Sequence, residues 1–234
     1  MNKEELEKLM CDVNDLIAIF ENNMPVTNEG FDIEKIKTTV SQMAEKSIEN
    51  AEERKEFLSW MENHEFYTSP ASTRFHGNFD GGLCVHSIQV AYQALKFTGA
   101  FFIDFMKTVH AEKYNFTAGD IFVAAIAHDF CKAGFYSTSF RNTKDIFGNW
   151  KKTPYFTVKD GNRNLGHGNE SVLLLLETMP SYLKKRHVLE AISRHMGFSD
   201  VTDTEMMNYS NFLENPLVLL IQMADQTASG WYNY

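Results

Sequence analysis

Residues 127–134 read Ala-His-Asp-Phe-Cys-Lys-Ala-Gly, and the adjacent pair His128-Asp129 is where chemistry can be assembled. Upstream lies His86, in Gly-Gly-Leu-Cys-Val-His. Downstream lie His167 in Gly-His-Gly, His195 in Arg-His-Met-Gly and Asp225 in Met-Ala-Asp-Gln. Neutral imidazoles with carboxylates suit Mn, Fe, Co, Ni or Zn better than Ca, which prefers all-oxygen shells. Four His and two Asp can supply the ligands of two divalent transition-metal ions. Such a centre can polarise a phosphoryl oxygen and make hydroxide from water near neutral pH. Consecutive helical residues point about 100° apart. His128 and Asp129 can therefore share a centre only if the cations sit against the end of a helix. Asp129, with two oxygens to give, is then the natural bridge. His86 and Asp225 could complete one cation, and His167 and His195 the other.

Other polar residues fall near this set in sequence. Lys132, three residues past Asp129, could reach a phosphate oxygen. Arg74 and His76, in Thr-Arg-Phe-His, could clamp a phosphate or donate a proton to a leaving group, or could be ordinary loop residues. Glu170 could orient His167, or could simply favour a helix N-terminus. His64 and His110 sit in charged contexts and are expected at the surface, as is His187 in Lys-Lys-Arg-His. Cys11, Cys84 and Cys131 form no Cys-x-x-Cys. Their odd number argues against a disulfide framework, and Cys84 and Cys131 read as small buried thiols packing near the site.

Helices must position these groups. Apolar residues from Leu6 to Phe20 recur at helical spacing over 3–22. A loop is expected over 22–30, and a helical stretch from about Asp32 to His64 with a break near Asn50. After a glycine-bearing loop to Gly82, helices are predicted over 83–97 and about 100–113. Thr117-Ala-Gly-Asp120 resembles a capping box that opens the apolar helix delivering His128 and Asp129. Pro154-Tyr-Phe-Thr-Val158, followed by an Asp-Gly turn, predicts a short strand with a weak return strand near Asn164. Helices are predicted again over 170–178, 181–195 and 216–229, with Pro216 suited to a first turn.

Composition bounds the rest. A chain of 234 residues with 44% apolar content can bury a full core, as one domain with a small appendage. The net charge of −9 tells against a long nucleic-acid track, which needs a basic stripe. A small anionic ligand stays open, because bound cations dominate the local field. No apolar run approaches the ~18 residues that span a bilayer, and Val172–Leu176 falls far short of it. The N-terminus lacks a signal-peptide layout. The expectation is a cytoplasmic protein with no membrane partner; a homo-oligomer is left open.

The segments 70–76, 81–87, 127–134, 165–168, 194–197 and 223–226 together resemble the HD-domain metal-dependent phosphohydrolase superfamily. They look most like the HD domain of bacterial 3′–5′ exoribonucleases and like stand-alone HD proteins of bacteria and phages. The resemblance implies an all-α HD bundle over residues 67–234, with a small inserted β-hairpin and an N-terminal helical extension over 1–66. It implies His86, His128, Asp129 and Asp225 as the basic metal set, and His167 and His195 as the added ligands of two-metal members. Lys132 matches the basic residue often found after His-Asp. Nothing here fits the oligonucleotide-binding domain of the exoribonucleases. Their His-His-Gly is replaced by His195-Met196-Gly197. The expected substrate is thus a nucleotide or similar small phosphate ester, and the expected catalytic group Asp129, Lys132, Arg74 and His76. Two alternatives follow from the same ligands: an HD-fold di-iron oxygenase similar to myo-inositol oxygenase, and a non-catalytic nucleotide-binding module. The basic residues favour phosphate over oxygen chemistry, and a sensor would not need all six ligands.

Overall fold

The apolar stripe of the first segment folds as helix α1 (Lys3–Asn23), which buries Leu9, Val13, Leu16 and Phe20 and starts at a capping box between Asn2 and Glu5. The computed structural model describes residues 2–159 and 165–232. The expected loop that follows contains a minimal hairpin, β1 (Val26–Thr27) against β2 (Gly30–Phe31), because Val26 has a core position to fill. Helices α2 (Ile33–Ser47) and α3 (Ala51–Asn63) meet at the break expected near Asn50. The Asn50 side chain accepts from the N–H groups of Glu52 and Glu53, which starts α3.

Helix α4 (Gly82–Phe105) is the central element and packs on α1, α2 and two later helices. It replaces the two helices predicted over 83–97 and 100–113. Gly99 does not interrupt it, because Leu95, Thr98 and Phe102 continue one buried stripe. A Cβ on Gly99 would come within 3.2 Å of Met10 Cε, so this glycine lets α1 lie close. The chain beyond Phe105 forms only a short 3₁₀ turn at Ala111–Lys113.

Helix α5 (Ala118–Ala127) opens with the Thr117–Asp120 capping box, and all ten of its residues are buried. A helix apolar all round belongs in a core. The hairpin that follows pairs β3 (Tyr136–Lys144) with β4 (Trp150–Val158), Tyr136 opposite Val158 and Lys144 opposite Trp150. The partner of the Pro154–Val158 strand is therefore upstream. Thr and Ser side chains of both strands bond across the pair, which favours this register. The expected Asp160-Gly161 turn and return strand near Asn164 lie outside the described residues.

Helix α6 (His167–Thr178) is followed not by one helix over 181–195 but by a 3₁₀ turn, Pro180–Lys184, and then α7 (Arg186–Ser193). Two buried carboxylates impose the division. Glu53 accepts from Ser181 N at 2.7 Å, and Asp120 holds Lys185 Nζ at 2.7 Å. Two short helices that the sequence pattern did not announce, α8 (Asp203–Met207) and α9 (Tyr209–Phe212), precede α10 (Pro216–Trp231). Asn215 caps α10, and Pro216 is in its first turn.

Among the described residues the architecture is thus mostly helical with two small antiparallel hairpins. The N-terminal helices share one hydrophobic cluster with α4, α5, α7 and α10. Among the described residues no helix is long and apolar enough to cross a membrane.

Burial alone would push the Asp120 carboxyl up, but hydrogen bonding to His187, the Lys185 charge and the Thr117 N–H hold it below the ordinary carboxylate range. A depressed carboxylate contributes stability that is complete above its unfolded pKa and is lost as pH falls through the folded value. Asp120→Ala is expected to cost about 2 kcal/mol at pH 7, from the lost cap and a half-exposed ion pair. Urea denaturation should show the gap between wild type and variant narrowing below about pH 4, where the unfolded chain begins to protonate Asp120 while the folded carboxylate, held lower, is still ionised.

Candidate metal centre

Four helix termini, the body of α10 and one loop bring the polar residues together. Gly81, at φ +84°, starts α4, and a Cβ on Gly82 would sit 2.0 Å from Gly77 O. That contact fixes the start of α4, whose second turn carries His86. His128 is the C-cap of α5. Asp129 leaves the helix at φ −113° and ψ 21°, which lets two adjacent side chains face one point. His195 lies just past the end of α7, Asp225 within α10, and His167 at the start of α6 behind Gly166, whose φ is +80°.

His86, His128, Asp129 and His195 are buried, and Asp225 is half-buried. His86 Nε2 is 3.2 Å from His128 Nε2 and 3.1 Å from Asp225 Oδ1. Asp129 Oδ2 is 3.3 Å from His128 Nε2 and 3.7 Å from His86 Nε2, and Oδ1 is 3.5 Å from His195 Nε2. Cations bonded to N and O donors at about 2.0–2.2 Å set those donors roughly 3.0–3.5 Å apart. The separations fit a cation between the groups.

The tautomers point the same way. His128 Nδ1 is 2.7 Å from Ala125 O, and His195 Nδ1 is 2.7 Å from Ile192 O. A carbonyl only accepts, so each Nδ1 carries the proton and, in the neutral ring, each Nε2 presents a lone pair to the cluster. Among the described residues, His195 Nε2 and Asp129 Oδ1 are buried without a hydrogen-bond partner. These are the orphaned groups that a bound cation would satisfy, and the donor set fits a divalent transition metal.

Burial works against an ionised Asp129, yet Lys132 and His128 hold its carboxyl well below the usual range. Lys132 Nζ is 2.6 Å from Asp129 Oδ2, and Asp129 in turn keeps the buried ammonium protonated against desolvation. Lys132 is therefore engaged with the carboxylate, not extended toward a ligand as expected. His86 similarly holds the Asp225 carboxyl down against burial.

Arg74 and His76 part company. The His76 ring is 4.7 Å from that of His86, with Nε2 buried and unpartnered. Burial, then His86 and Lys132, push its pKa down to about 4, so the ring is neutral at pH 7. Arg74 is exposed and lines a cleft of about 1010 Å³ between the 73–80 loop and the β3–β4 hairpin. Arg141, Thr138, Tyr155 and Phe79 share its walls, and Arg141 lies 5.3 Å over the Tyr155 ring.

Among the described residues, three groups of donor atoms lie mutually within 4.8 Å: His86, His128 and Asp129; His128, His195 and Asp225; and Asp129, Cys131 and His167. His195 thus joins His128 and Asp225, whereas His167, which is exposed, joins Asp129 and Cys131. This differs from the expected grouping of His167 with His195. Cys131, read from sequence as a packing thiol, has its Sγ 3.8 Å from His167 Nδ1. Its only sequence signal is its place two residues after Asp129. His187 is not a surface residue: it is half-buried, with its ring against Phe116 and its Nε2 3.7 Å from Asp120. His110 is half-buried beside Glu214, and His64 is exposed as expected.

Gly168 is buried where α6 meets α7, and a Cβ there would sit 2.2 Å from Ser193 O. Gly168→Ala is expected to lower stability by about 1–3 kcal/mol and to weaken divalent-metal binding by displacing His167. Thermal denaturation and metal titration check both. Unchanged stability and affinity would show that the α6–α7 contact does not hold the centre. Comparison with known proteins adds no relative: no family model, no curated protein and no solved structure matches the chain.

Proposed function

We propose that the protein is an HD-type metal-dependent phosphohydrolase, cleaving a phosphoester bond of a nucleotide or similar small phosphate ester at a centre of two divalent transition-metal ions. The observation that carries this reading is the inward convergence of His86, His128, Asp129, His195 and Asp225, with the Nε2 of His128 and of His195 left unprotonated by backbone bonds at Nδ1. Cations bound there would supply Lewis acidity toward a phosphoryl oxygen and toward water.

The protein's own residues do the remaining work. Lys132 is a positioning residue: it keeps Asp129 ionised and fixes one of its oxygens. His76 presents a neutral imidazole beside His86, so it serves as a hydrogen-bonding group and not as a charged proton donor. Arg74 and Arg141 supply positive charge from the loop and hairpin sides of one cleft, where guanidinium groups suit phosphate oxygens. Tyr155, with Arg141 over its ring, and Phe79, stacked on Phe31, line the same cleft and add apolar surface that a planar base could meet. This placement favours a phosphate ester over the small neutral substrate of an oxygenase.

With Mn²⁺ or Co²⁺ the purified protein is expected to hydrolyse a generic phosphodiester or members of a nucleotide panel. Asp129→Ala should lower kcat by about 10³-fold or more, roughly 4 kcal/mol of barrier. An Asp129→Ala variant with full activity would contradict the assignment. Arg141→Ala should raise KM on the order of tenfold with kcat nearly unchanged, since it removes binding common to substrate and transition state. Steady-state kinetics separate the two effects, and a fall in kcat alone would remove Arg141 from substrate binding.

A further inference from the structure

We infer that Cys131 is a metal ligand, its Sγ completing a second cation position with His167 and Asp129. The inference rests on reading the cluster as a metal centre and goes beyond it by naming a thiolate donor. Three observations support it. The donor atoms of Asp129, Cys131 and His167 lie mutually within 4.8 Å. A tetrahedral cation bonded at about 2.3 Å to sulfur and about 2.0–2.1 Å to nitrogen sets those donors roughly 3.6 Å apart; Cys131 Sγ and His167 Nδ1 are 3.8 Å apart. Asp129, the shared member, is 1% exposed, and its Oδ1 has no hydrogen-bond partner.

Local structure holds this arrangement. Phe130–Lys132 form a 3₁₀ turn, so Cys131 is not on the α5 spiral. Its N–H donates to Ser171 Oγ at 3.1 Å. Ser171 is buried one turn after His167 on α6, so a single hydrogen bond fixes the thiol against the N-terminal turn that carries the imidazole. His195 meanwhile groups with His128 and Asp225, which leaves the position near His167 needing a further donor. A thiolate there favours a softer ion such as Zn, Co or Fe over Mg at that position.

The test uses Co²⁺ titration of the full chain in a Cys11→Ser background, because Cys11 is exposed. Cys84 is fully buried, with its Sγ donating to Gly81 O at 3.1 Å, so it is out of reach of added cobalt. The expected result is a near-ultraviolet sulfur-to-cobalt charge-transfer band. The band should disappear in Cys131→Ser, with the second cobalt bound at least tenfold more weakly while the first is retained. His167→Asn keeps the thiol; it should shift the band and weaken the same cobalt by tenfold or more. Cobalt bound without that band, or a band that survives Cys131→Ser, overturns the thiolate ligand and leaves the metal centre standing. A protein that binds no cobalt overturns both.

Discussion

The carboxylate of Asp129 is buried among groups that cannot fully satisfy it, and the site is organised around that fact. An isolated buried carboxylate costs several kcal/mol, so its neighbours must repay the lost hydration. Lys132 does so for Oδ2, at 2.6 Å. Oδ1 faces His195 Nε2 at 3.5 Å, too far for a good hydrogen bond, and neither atom has another partner. Because His128 and His195 spend their Nδ1 protons on backbone carbonyls, neutral rings have no donor left for the carboxylate. The polar network is incomplete at its centre. A cation is the simplest group that would accept lone pairs from all sides.

Helix α5 shows why the incomplete end is where it is. It carries a buried carboxylate at each extremity, Asp120 in its first turn and Asp129 just past its last. The first is favoured by the N-terminal end of the helix dipole and is closed off by the Thr117 cap, Lys185 and His187. The second meets the negative end, which repels anions and attracts cations. His195 likewise follows the C-terminal end of α7. Two helices thus aim their negative ends at one buried cluster, a field that a divalent cation would relieve. The close contacts at Gly82 and Gly168 bring the helix termini near enough to share it.

What could be read from sequence was what local chemistry decides. The Thr117–Asp120 cap, the break at Asn50, Pro216 at the start of α10 and the pairing of His128 with Asp129 all depend on neighbours within a few residues. What escaped depends on distant partners. The division of the expected 181–195 helix is imposed by Glu53 and Asp120, which are 128 and 65 residues from the groups they hold. The true partner of the Pro154–Val158 strand lies on the far side of a turn whose own pattern is weak. Arg74 and His76 are two residues apart and diverge, one into an open cleft and one against His86. Cys131 was assigned to packing by residue type, since no periodicity announces that a 3₁₀ turn faces it toward α6.

The electrostatics of the proposed centre also resolve an apparent conflict. The chain carries a net charge of −9, yet the substrate proposed for it is an anion. In the cluster itself, Asp129 and Asp225 against Lys132 leave one negative charge in excess when the imidazoles are neutral. That excess favours cation entry and disfavours phosphate. Two divalent cations would reverse the sign, and the field felt by a ligand at the site would then be positive whatever the remote surface carries. Arg74 and Arg141 line a cleft beside the 73–80 loop, whose His76 lies against His86. On this reading metal loading and phosphate binding are ordered by charge alone: the residues that assemble the cations repel the substrate until the cations are there.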